Sequence, residues 1–414
     1  MGFGTIISLG LVALVAFLAG PINHFVQVTG FFRTLNPTVL GEGQGPIHIE
    51  DTIHCEDLHH YRPANLLFTA CEDDKSTRFS WFPPLGHMLP RTTQGSIHVV
   101  NPKTMKSTRL AFENFQDPFS THGIDVIADP KQSNAVYIYA VNHKPNAAYF
   151  EAGEPEDVPK AGSQIELFHH ILSSNSIRHV RSINHPLIRT PNDLYAINPV
   201  SFYVTNDHFY REGPMRLIED SWRDAKWSNI IHVQIADLAS KDAPIEASVA
   251  LTGLRNNNGL GHGRTDNEII ICSAMSGEMF LATQHESNYS ISIDTSFSFG
   301  SVADNPSYYH DPYRTDSHDA SGFLVAGVSQ AIYLMANSKD PNALDAIQVW
   351  YTTFNSRTGL WEKKVLFEDD GSRIRTASAA VLVPIEPKVD GKKLAWLFVT
   401  GFMSEGMVAV QVEL

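Results

Sequence analysis

The amino-acid sequence predicts an all-β fold, a six-bladed β-propeller that follows an N-terminal hydrophobic segment. Beyond about residue 45, short runs rich in Val, Ile, Tyr and Phe alternate with turns rich in Gly, Pro, Asn and Asp, as in SIHVVNP and AVYIYAVNH. Helical periodicity is scarce, and MRLIEDSWRDAKW (215–227) is the best candidate for a helix. Many short strands at near-regular spacing indicate a sandwich, barrel or propeller, and about 370 residues is too long for one sandwich. Six blades of about 60 residues each would accommodate them.

Residues 1–35 are predicted to be a signal-like or anchor-like segment, and the propeller domain is predicted to occupy residues 36–414. No Asp, Glu, Lys or Arg occurs in residues 1–32, whose centre IISLGLVALVAFLAG is apolar and about the length of a signal-peptide core. A basic region before this core and a clear cleavage site are both missing, so a buried N-terminal helix is the alternative. We expect the chain to enter the secretory pathway and to be secreted or membrane-anchored, with residues 1–32 as the candidate membrane contact.

The charge and cysteine content narrow the class of protein further. The formal net charge is −14 while only 18% of the residues are charged. This diffuse acidic balance argues against a nucleic-acid partner, which needs a basic surface, and it suits a protein that holds cations. The three cysteines, Cys55, Cys71 and Cys272, are too few for a disulfide framework, and Cys55–Cys71 is one conceivable bridge. A glycosylation sequon at Asn288 has meaning only if the chain is secreted.

Two segments have the composition of loop insertions. Residues 144–163 are rich in Pro, Gly and acidic residues, and residues 306–321 are polar and aromatic. We expect neither segment to contribute a core strand. Long loops in a compact domain are usually functional or disordered.

Acidic and amide side chains recur in pairs beside strand-like sequence. In a propeller, the loops at one end of the inner strands meet at the central channel, so residues that are distant in sequence can face one cavity. Carboxylate and amide oxygens without thiolate or imidazole favour Ca²⁺. For any single pair, a role in turns and Asx caps is the simpler alternative. The pairs are Glu56-Asp57, Asn192-Asp193, the run Asn256 to Asn258, and Asp304-Asn305.

Two of the 19 histidines stand at the ends of a predicted strand pair. His122 lies in STHGIDVIAD and His143 in YIYAVNHKP. A hairpin of this length returns the chain to the same end, which would bring the two imidazoles together as a base and a proton relay. The alternative is a pair of ordinary turn or surface histidines.

The one near match to a nucleophile motif is weak. GVSQA (327–331) ends in Ala where that motif has Gly, and the following IYLMA reads as a strand where the motif needs a helix. Ser329 is therefore a candidate nucleophile only for an alternative hypothesis, that of a serine hydrolase.

At the acidic pairs and the two histidines, the sequence resembles the paraoxonase/arylesterase family of calcium-dependent lactonases. The matching strings are CEDLHHY, STHGIDVI, AVYIYAVNHKP, IELFHH, PNDLYAINPVSFYVTNDHFY, NNNGLG and VADNP, over roughly residues 50–414. The resemblance implies a six-bladed β-propeller with two calcium ions in its channel. It implies that the catalytic ion is held by Glu56, Asn192, Asn258, Asp304 and Asn305. It implies that a structural ion is held by Asp57, Asp193 and the backbone carbonyl of Ile124. His122 would be the general base, His143 its partner, and Asp207 and His208 would lie near the wall of the site.

The sequence departs from the family pattern in three places. No cysteine pair can join the two ends of the chain, so strand pairing alone must close the ring. The segments 144–163 and 306–321 follow His143 and Asp304-Asn305 directly, so both are expected to rim the active-site face. The wall residue expected after FLVAG is not a His. The metal ligands and the general base of the family are therefore expected in this chain, whereas the substrate preference of the family is not.

The sequence thus predicts a calcium-dependent hydrolase of lactones and aryl esters. In this hypothesis Ca²⁺ polarises the ester carbonyl, and His122, tuned by His143, deprotonates water. One alternative is a calcium propeller that catalyses a non-hydrolytic cyclisation or isomerisation in secondary metabolism. Another is a non-catalytic binding propeller in which calcium is only structural.

Overall fold

The computed structural model describes residues 19–38, 45–222, 224–316, 318–387 and 392–414. Six sheets of four or five strands form the blades of a propeller. The innermost strand of each blade contacts the innermost strand of the next blade, and that of the sixth blade contacts that of the first, so that these strands enclose a central channel. The all-β, six-bladed prediction is confirmed for these residues. The predicted N-terminal hydrophobic segment falls largely outside them.

The strands are as follows. Blade 1 comprises β2 (Leu58–Tyr61), β3 (Leu66–Cys71), β6 (Ser96–Asn101) and β7 (Lys106–Arg109), with a separate small hairpin of β4 (Trp81–Phe82) and β5 (His87–Met88). Blade 2 comprises β8 (Ala111–Phe112), β9 (Thr121–Ala128), β10 (Ala135–Pro145), β11 (Ala161–Ile171) and β12 (Ser176–Ile183). Blade 3 comprises β13 (Pro191–Asn198), β14 (Ser201–Asn206), β15 (Ser228–Ile235) and β16 (Ile245–Leu254). Blade 4 comprises β17 (Asn257–His262), β18 (Glu268–Ser273), β19 (Glu278–Gln284) and β20 (Ile291–Ser298). Blade 5 comprises β21 (Pro306–Tyr309), β22 (Gly322–Val328), β23 (Ile347–Asn355) and β24 (Leu360–Asp369). Blade 6 comprises β25 (Ala377–Ile385), β26 (Leu394–Gly401), β27 (Met407–Glu413) and β1 (Ile47–Ile49).

The helices are short. Within the described residues, α1 covers 19–29, α2 Ala147–Phe150, α3 Pro214–Ser221 and α4 Leu334–Asn337, and single 3₁₀ turns lie at Arg62–Ala64, Thr77–Phe79, Pro83–Leu85, Ala274–Ser276 and Ala331–Tyr333. None of these helices has both the length and the apolar character that crossing a membrane requires.

Strand pairing between the two ends of the chain closes the ring, as the sequence predicts. β1 runs antiparallel to β27, with Ile47 opposite Ala409 and Ile49 opposite Met407. Closure in this way hides the edge groups of the last blade from other chains. A disulfide joins Cys55 to Cys71 within blade 1, and Cys272 is a buried free thiol.

The hydrophobic core lies between neighbouring blades. Strand β12 alternates buried and exposed residues with a period of two, because one face of it packs inward. Strand β25 is instead buried along most of its length and starts with small residues, ASAA. Small side chains at this position allow the inner strands to approach one another near the axis.

Three local predictions from the sequence are wrong. Residues 306–309 form β21, the inner strand of blade 5, because an inner strand is an edge of its own sheet and tolerates Pro at its first position. IYLMA (332–336) forms a 3₁₀ turn and α4 rather than a strand. The predicted helix at 215–227 ends early, since Trp222 is already extended.

The insertion after His143 is shorter than predicted. Strand β10 continues to Pro145 and β11 begins at Ala161, so only residues 146–160 connect them, with α2 in between.

Candidate active site

The predicted metal ligands lie at or near the beginning of inner strands, whereas His143 is near the end of β10 and Asp207 and His208 follow β14. Glu56 and Asp57 immediately precede β2, Asp304 and Asn305 precede β21, and the amide pairs lie in the first residues of β13 and β17. His122 is the second residue of β9. Since the inner strands surround one channel, this shared position places their first residues at the same end of it.

Side chains from four blades meet around Glu56. Asn305 Nδ2 donates a 3.0 Å hydrogen bond to Glu56 Oε1, which also lies 3.7 Å from His122 Nε2. Asn192 Nδ2 lies 3.5 Å from the same imidazole nitrogen. The backbone carbonyl of Glu56 accepts hydrogen bonds from Ser378 and Thr400 in blade 6. The structure therefore brings these sequence-distant residues together.

The side-chain oxygens of this cluster share one property that its hydrogen bonds do not explain. Five of them are buried and have no hydrogen-bond partner among the described residues: Glu56 Oε2, Asn192 Oδ1, Asn258 Oδ1, Asp304 Oδ1 and Asn305 Oδ1. A buried acceptor without a partner costs about 1–3 kcal/mol, so native structures rarely contain several together. Five such oxygens of carboxylate and amide type fit a Ca²⁺ ion, which takes six to eight oxygen ligands.

The negative charges of the site also favour a bound cation. Burial and the neighbouring Asp304 and Asp57 raise the pKa of Glu56 well above its usual value, and burial and Asp57 do the same to the pKa of Asp304. Burial and Asp57 also raise the pKa of Asp193. Such mutual repulsion is relieved when a cation lies between the carboxylates.

Asp57 and Asp193 form a second, deeper group with Ile124. The Asp57 carboxylate accepts hydrogen bonds from the backbone N–H groups of Leu58 (2.7 Å) and Ile124 (2.9 Å). Asp193 accepts from the backbone N–H groups of Leu194 (2.7 Å) and Leu260 (2.6 Å).

Gly123 is required beside this group because β9 and β13 lie very close together. A Cβ at residue 123 would lie 2.6 Å from the Asn192 carbonyl oxygen and would overlap the Asp193 carboxylate.

His122 and His143 form a hydrogen-bonded chain. A bulge between Ala140 and Asn142 in the β9–β10 pair sets their register, and His122 Nδ1 lies 2.9 Å from His143 Nε2. His143 Nδ1 is in turn 2.8 Å from Ser163 Oγ. With His143 donating to Ser163, His122 donates Nδ1–H to His143, which leaves His122 Nε2 as an acceptor facing Glu56 and Asn192.

Burial keeps both imidazoles neutral. Burial, then the proximity of His143 and of Arg78, lowers the pKa of His122 well below its usual value. Burial lowers the pKa of His143 to about 3. A neutral imidazole can accept a proton, whereas an imidazolium cannot.

A segment before β6 supports this pair, and sequence reasoning missed it. Phe82 packs edge-on against His122, with ring centroids 5.3 Å apart, and Trp81 Nε1 donates to the backbone carbonyl of His143 at 2.5 Å. The guanidinium of the fully buried Arg78 lies 4.2 Å from the Phe82 ring centroid. Ser163 was missed as well. Nothing in the spacing of these residues connects them to the histidines; only the aromatic and proline-rich composition of SWFPPLG marks an unusual insertion.

Asp207 and His208 are next to the site but have different surroundings. Asp207 lines a cavity together with His143. His208 lies between two carboxylates, 3.1 Å from Asp207 and 2.7 Å from Asp220. Burial alone would lower the pKa of His208, but these carboxylates raise it to about 9. His208 is therefore a charged partner of Asp207.

Two other candidate centres are not supported. Cys71, Asp73 and His98 lie close enough together for a metal, but Cys71 is in the disulfide and has no thiolate to offer. Ser329 follows β22, and its buried hydroxyl has no hydrogen-bond partner within the described part of the chain, so no base is in place to activate it.

Comparison with known proteins gives a family match. The model of the arylesterase family matches residues 87–382. Human serum paraoxonase/arylesterase 2 is 25% identical over 167 residues, 40% of each chain. Mouse serum paraoxonase/arylesterase 1 is 27% identical over 198 residues, 48% of this chain and 47% of the relative. Rat serum paraoxonase/lactonase 3 is 24% identical over 236 residues, 56% of each chain. These matches thus span between 40% and 56% of the relatives' length.

Two solved structures are similar to this chain at low TM-scores. A luciferin-regenerating enzyme has a TM-score of 0.45 and 11% identity, covering 89% of this chain and 95% of that one. The periplasmic gluconolactonase of Pseudomonas aeruginosa has a TM-score of 0.40 and 10% identity, covering 87% and 85%. The family match spans well over half of the chain, from residue 87 to residue 382. This chain belongs to the arylesterase family, the family of the serum paraoxonases.

Proposed function

We propose that this protein is a calcium-dependent hydrolase of lactones and aryl esters. The observation that carries the proposal is the set of five buried oxygens, without hydrogen-bond partners among the described residues, beside the neutral His122–His143 pair. Membership of the arylesterase family supports it. An ion-binding cluster alone would suit a structural role, but a cluster that contacts an acceptor nitrogen suits hydrolysis.

Two ions would occupy the channel in this proposal. The catalytic one would be held by Glu56, Asn192, Asn258, Asp304 and Asn305. The structural one would be held by Asp57, Asp193 and the carbonyl of Ile124. When bound at the first set, Ca²⁺ supplies a Lewis acid that polarises an ester carbonyl and stabilises the negative charge that develops on it.

The residues of the chain perform the proton transfers. His122 Nε2 takes a proton from the attacking water while the water oxygen bonds to the carbonyl carbon. When the bond to the leaving oxygen breaks, His122 returns that proton to the leaving group. His143 holds the tautomer of His122 through its Nε2, and Ser163 holds that of His143.

The destination of the protein is part of the same proposal. We propose that it enters the secretory pathway and is secreted, or contacts a membrane through residues 1–32, which carry no Asp, Glu, Lys or Arg. The Cys55–Cys71 disulfide supports an oxidising compartment. Cell fractionation with protease protection tests this, and a protein that stays in the reducing cytosol contradicts it.

A metal analysis with a lactone and aryl-ester panel, with and without chelator, tests the chemistry. We expect chelator to abolish hydrolysis and calcium to restore it. Each lactone should give a hydroxy acid heavier by one water, and each aryl ester should give an acid and a phenol whose summed mass exceeds that of the ester by one water. Full activity in a calcium-free sample, or products of unchanged mass, would refute the proposal.

Substitution of the base separates catalysis from structure. We expect His122→Gln to lower kcat by about 10²–10⁴-fold while bound calcium and the unfolding temperature remain similar. His232→Gln is the matched control, since His232 is also buried but bonds to Ser201 and stacks on Tyr289. An unchanged rate in His122→Gln would remove this residue from its role.

A further inference from the structure

Two arginines line the cavity that His143 also lines, and neither forms an ion pair with a carboxylate of the described residues. Arg189 and Arg211 line this cavity, whose volume is about 20 Å³. A space of this size holds one small polar group rather than a whole substrate.

The contacts of the two guanidinium groups explain how they are held but not what they are for. Arg211 donates to the backbone carbonyls of Ala161 (2.8 Å) and Ile188 (3.4 Å). The Arg189 guanidinium lies 4.1 Å from the ring centroid of Phe209. Within the described part of the chain, neither forms an ion pair with a carboxylate. Burial, followed by the like charge of Arg189, lowers the pKa of Arg211, and the opposite charge of Glu212 offsets part of this effect.

The other charged groups of the cavity already have partners. Glu212 lies 3.3 Å from Lys160, Asp207 lies 3.1 Å from His208, and Arg216 lies 3.3 Å from Asp220. These pairs are close to neutral by themselves. The excess positive charge at the wall therefore comes from Arg189 and Arg211.

We propose that Arg189 and Arg211 form a subsite for a carboxylate carried by the substrate, so that the preferred esters and lactones are anionic. A guanidinium presents donors in a planar fork that matches a carboxylate. Phe209 and the two carbonyls hold the forks in place, which reduces the entropy lost on binding. Since His143 lines the same cavity, the carboxylate would lie on the His143 side while the scissile carbonyl faces His122.

This inference rests on the proposed hydrolase function for its chemistry, but binding tests it independently. The probes are 4-hydroxybenzoate and its neutral isostere 4-hydroxybenzamide, titrated calorimetrically into calcium-loaded protein. We expect wild type to bind the carboxylate at least about tenfold more tightly, and we expect Arg189→Gln to remove most of that preference. Arg189→Lys keeps the charge without the fork and should retain part of it.

Controls cover folding and long-range charge. Arg357→Gln removes the same charge from an exposed turn and should leave the preference unchanged. Arg211→Gln should act like Arg189→Gln. If loss of its carbonyl contacts prevents Arg211→Gln from folding, Arg189→Gln decides alone, since its guanidinium makes no hydrogen bond within the described residues. Absence of any preference in wild type, including absence of binding, or a preference unchanged in Arg189→Gln, overturns the inference.

Kinetics with 4-acetoxybenzoate and 4-acetoxybenzamide connects the subsite to catalysis. We expect the ratio of kcat/KM for the acid to that for the amide to fall about tenfold in Arg189→Gln, with the amide little affected. A ratio that does not change overturns the inference. If wild type cleaves neither ester yet still prefers the carboxylate in binding, the proposed hydrolase function fails and the anion subsite stands.

Discussion

Replacing Asp57 by Asn should stabilise the protein without calcium and destabilise it with calcium. Asp57 is buried among like charges, and burial raises its pKa from 3.8 to about 6. A folded-state pKa above the unfolded value means that the unfolded state loses the proton first as pH rises. The carboxylate therefore destabilises the folded state progressively between pH 3.8 and about 6, and the full penalty is present above that range.

The magnitude follows from this shift. About two pKa units at 1.36 kcal/mol each give roughly 3 kcal/mol at pH 7.5. Asn has one acceptor oxygen, so the Leu58 or Ile124 N–H loses its carboxylate partner, at about 1–2 kcal/mol. We expect a net gain of about 1–2 kcal/mol in the free energy of unfolding in chelator. At pH 4 the penalty is almost absent, so the variant should be no more stable than wild type.

At pH 7.5, calcium should reverse the sign of the difference in unfolding free energy between Asp57→Asn and wild type. An ion present at about a hundred times its Kd adds about 2.7 kcal/mol to the folded state, and Asp57→Asn loses a ligand for it. The assay is denaturant or thermal unfolding at pH 7.5 and pH 4, in chelator and in excess calcium. Bound calcium is measured on the same samples.

Asp125→Asn is the matched control for this prediction. Asp125 is buried too, and burial alone would raise its pKa, but His262 and His59 lower it below its usual value. Removing this charge should destabilise the protein at pH 7.5 with and without calcium. If Asp57→Asn is equally destabilising in chelator at both pH values, carboxylate repulsion does not organise the channel and the reasoning is refuted.

Three further expectations concern the surroundings of the site. The pKa of His208 is raised to about 9, so its ion pairs stabilise the fold fully below about pH 6.5, and this stabilisation is lost as pH rises through 9. His208→Gln should therefore remove this pH dependence of the unfolding temperature. An unchanged pH profile of the unfolding temperature in His208→Gln would contradict this expectation. Gly123→Ala should abolish calcium binding or folding, because its Cβ would overlap Asp193; a fully loaded variant would show that the strands can separate. Loss of the Cys55–Cys71 disulfide in Cys71→Ser should cost about 3 kcal/mol of unfolding free energy, given the sequence separation of 16 residues, and equal stability of the two proteins would show that the bridge adds nothing.

Local sequence patterns account for most of the strands. The period-two alternation of β12 and the turn residues between runs reflect nearest-neighbour physical chemistry, which is written in consecutive residues. The errors arose where tertiary context overrides composition. Residues 306–309 are polar and aromatic, yet they form an inner strand because they pair with β22 and pack between the inner strands of the neighbouring blades.

The sequence by itself determined the chemical type of the site: oxygen donors in pairs, and two histidines at the ends of one hairpin. Only the tertiary structure decided which atoms meet. Asn305 and Glu56 are 249 positions apart, and ring closure alone places them in hydrogen-bond contact. The same applies to the Phe82 ring against His122 and to Arg189 and Arg211, which line the cavity beside His143 from loops outside the inner strands. A local pattern cannot specify such contacts, because the free energy that makes them is that of closing the whole ring.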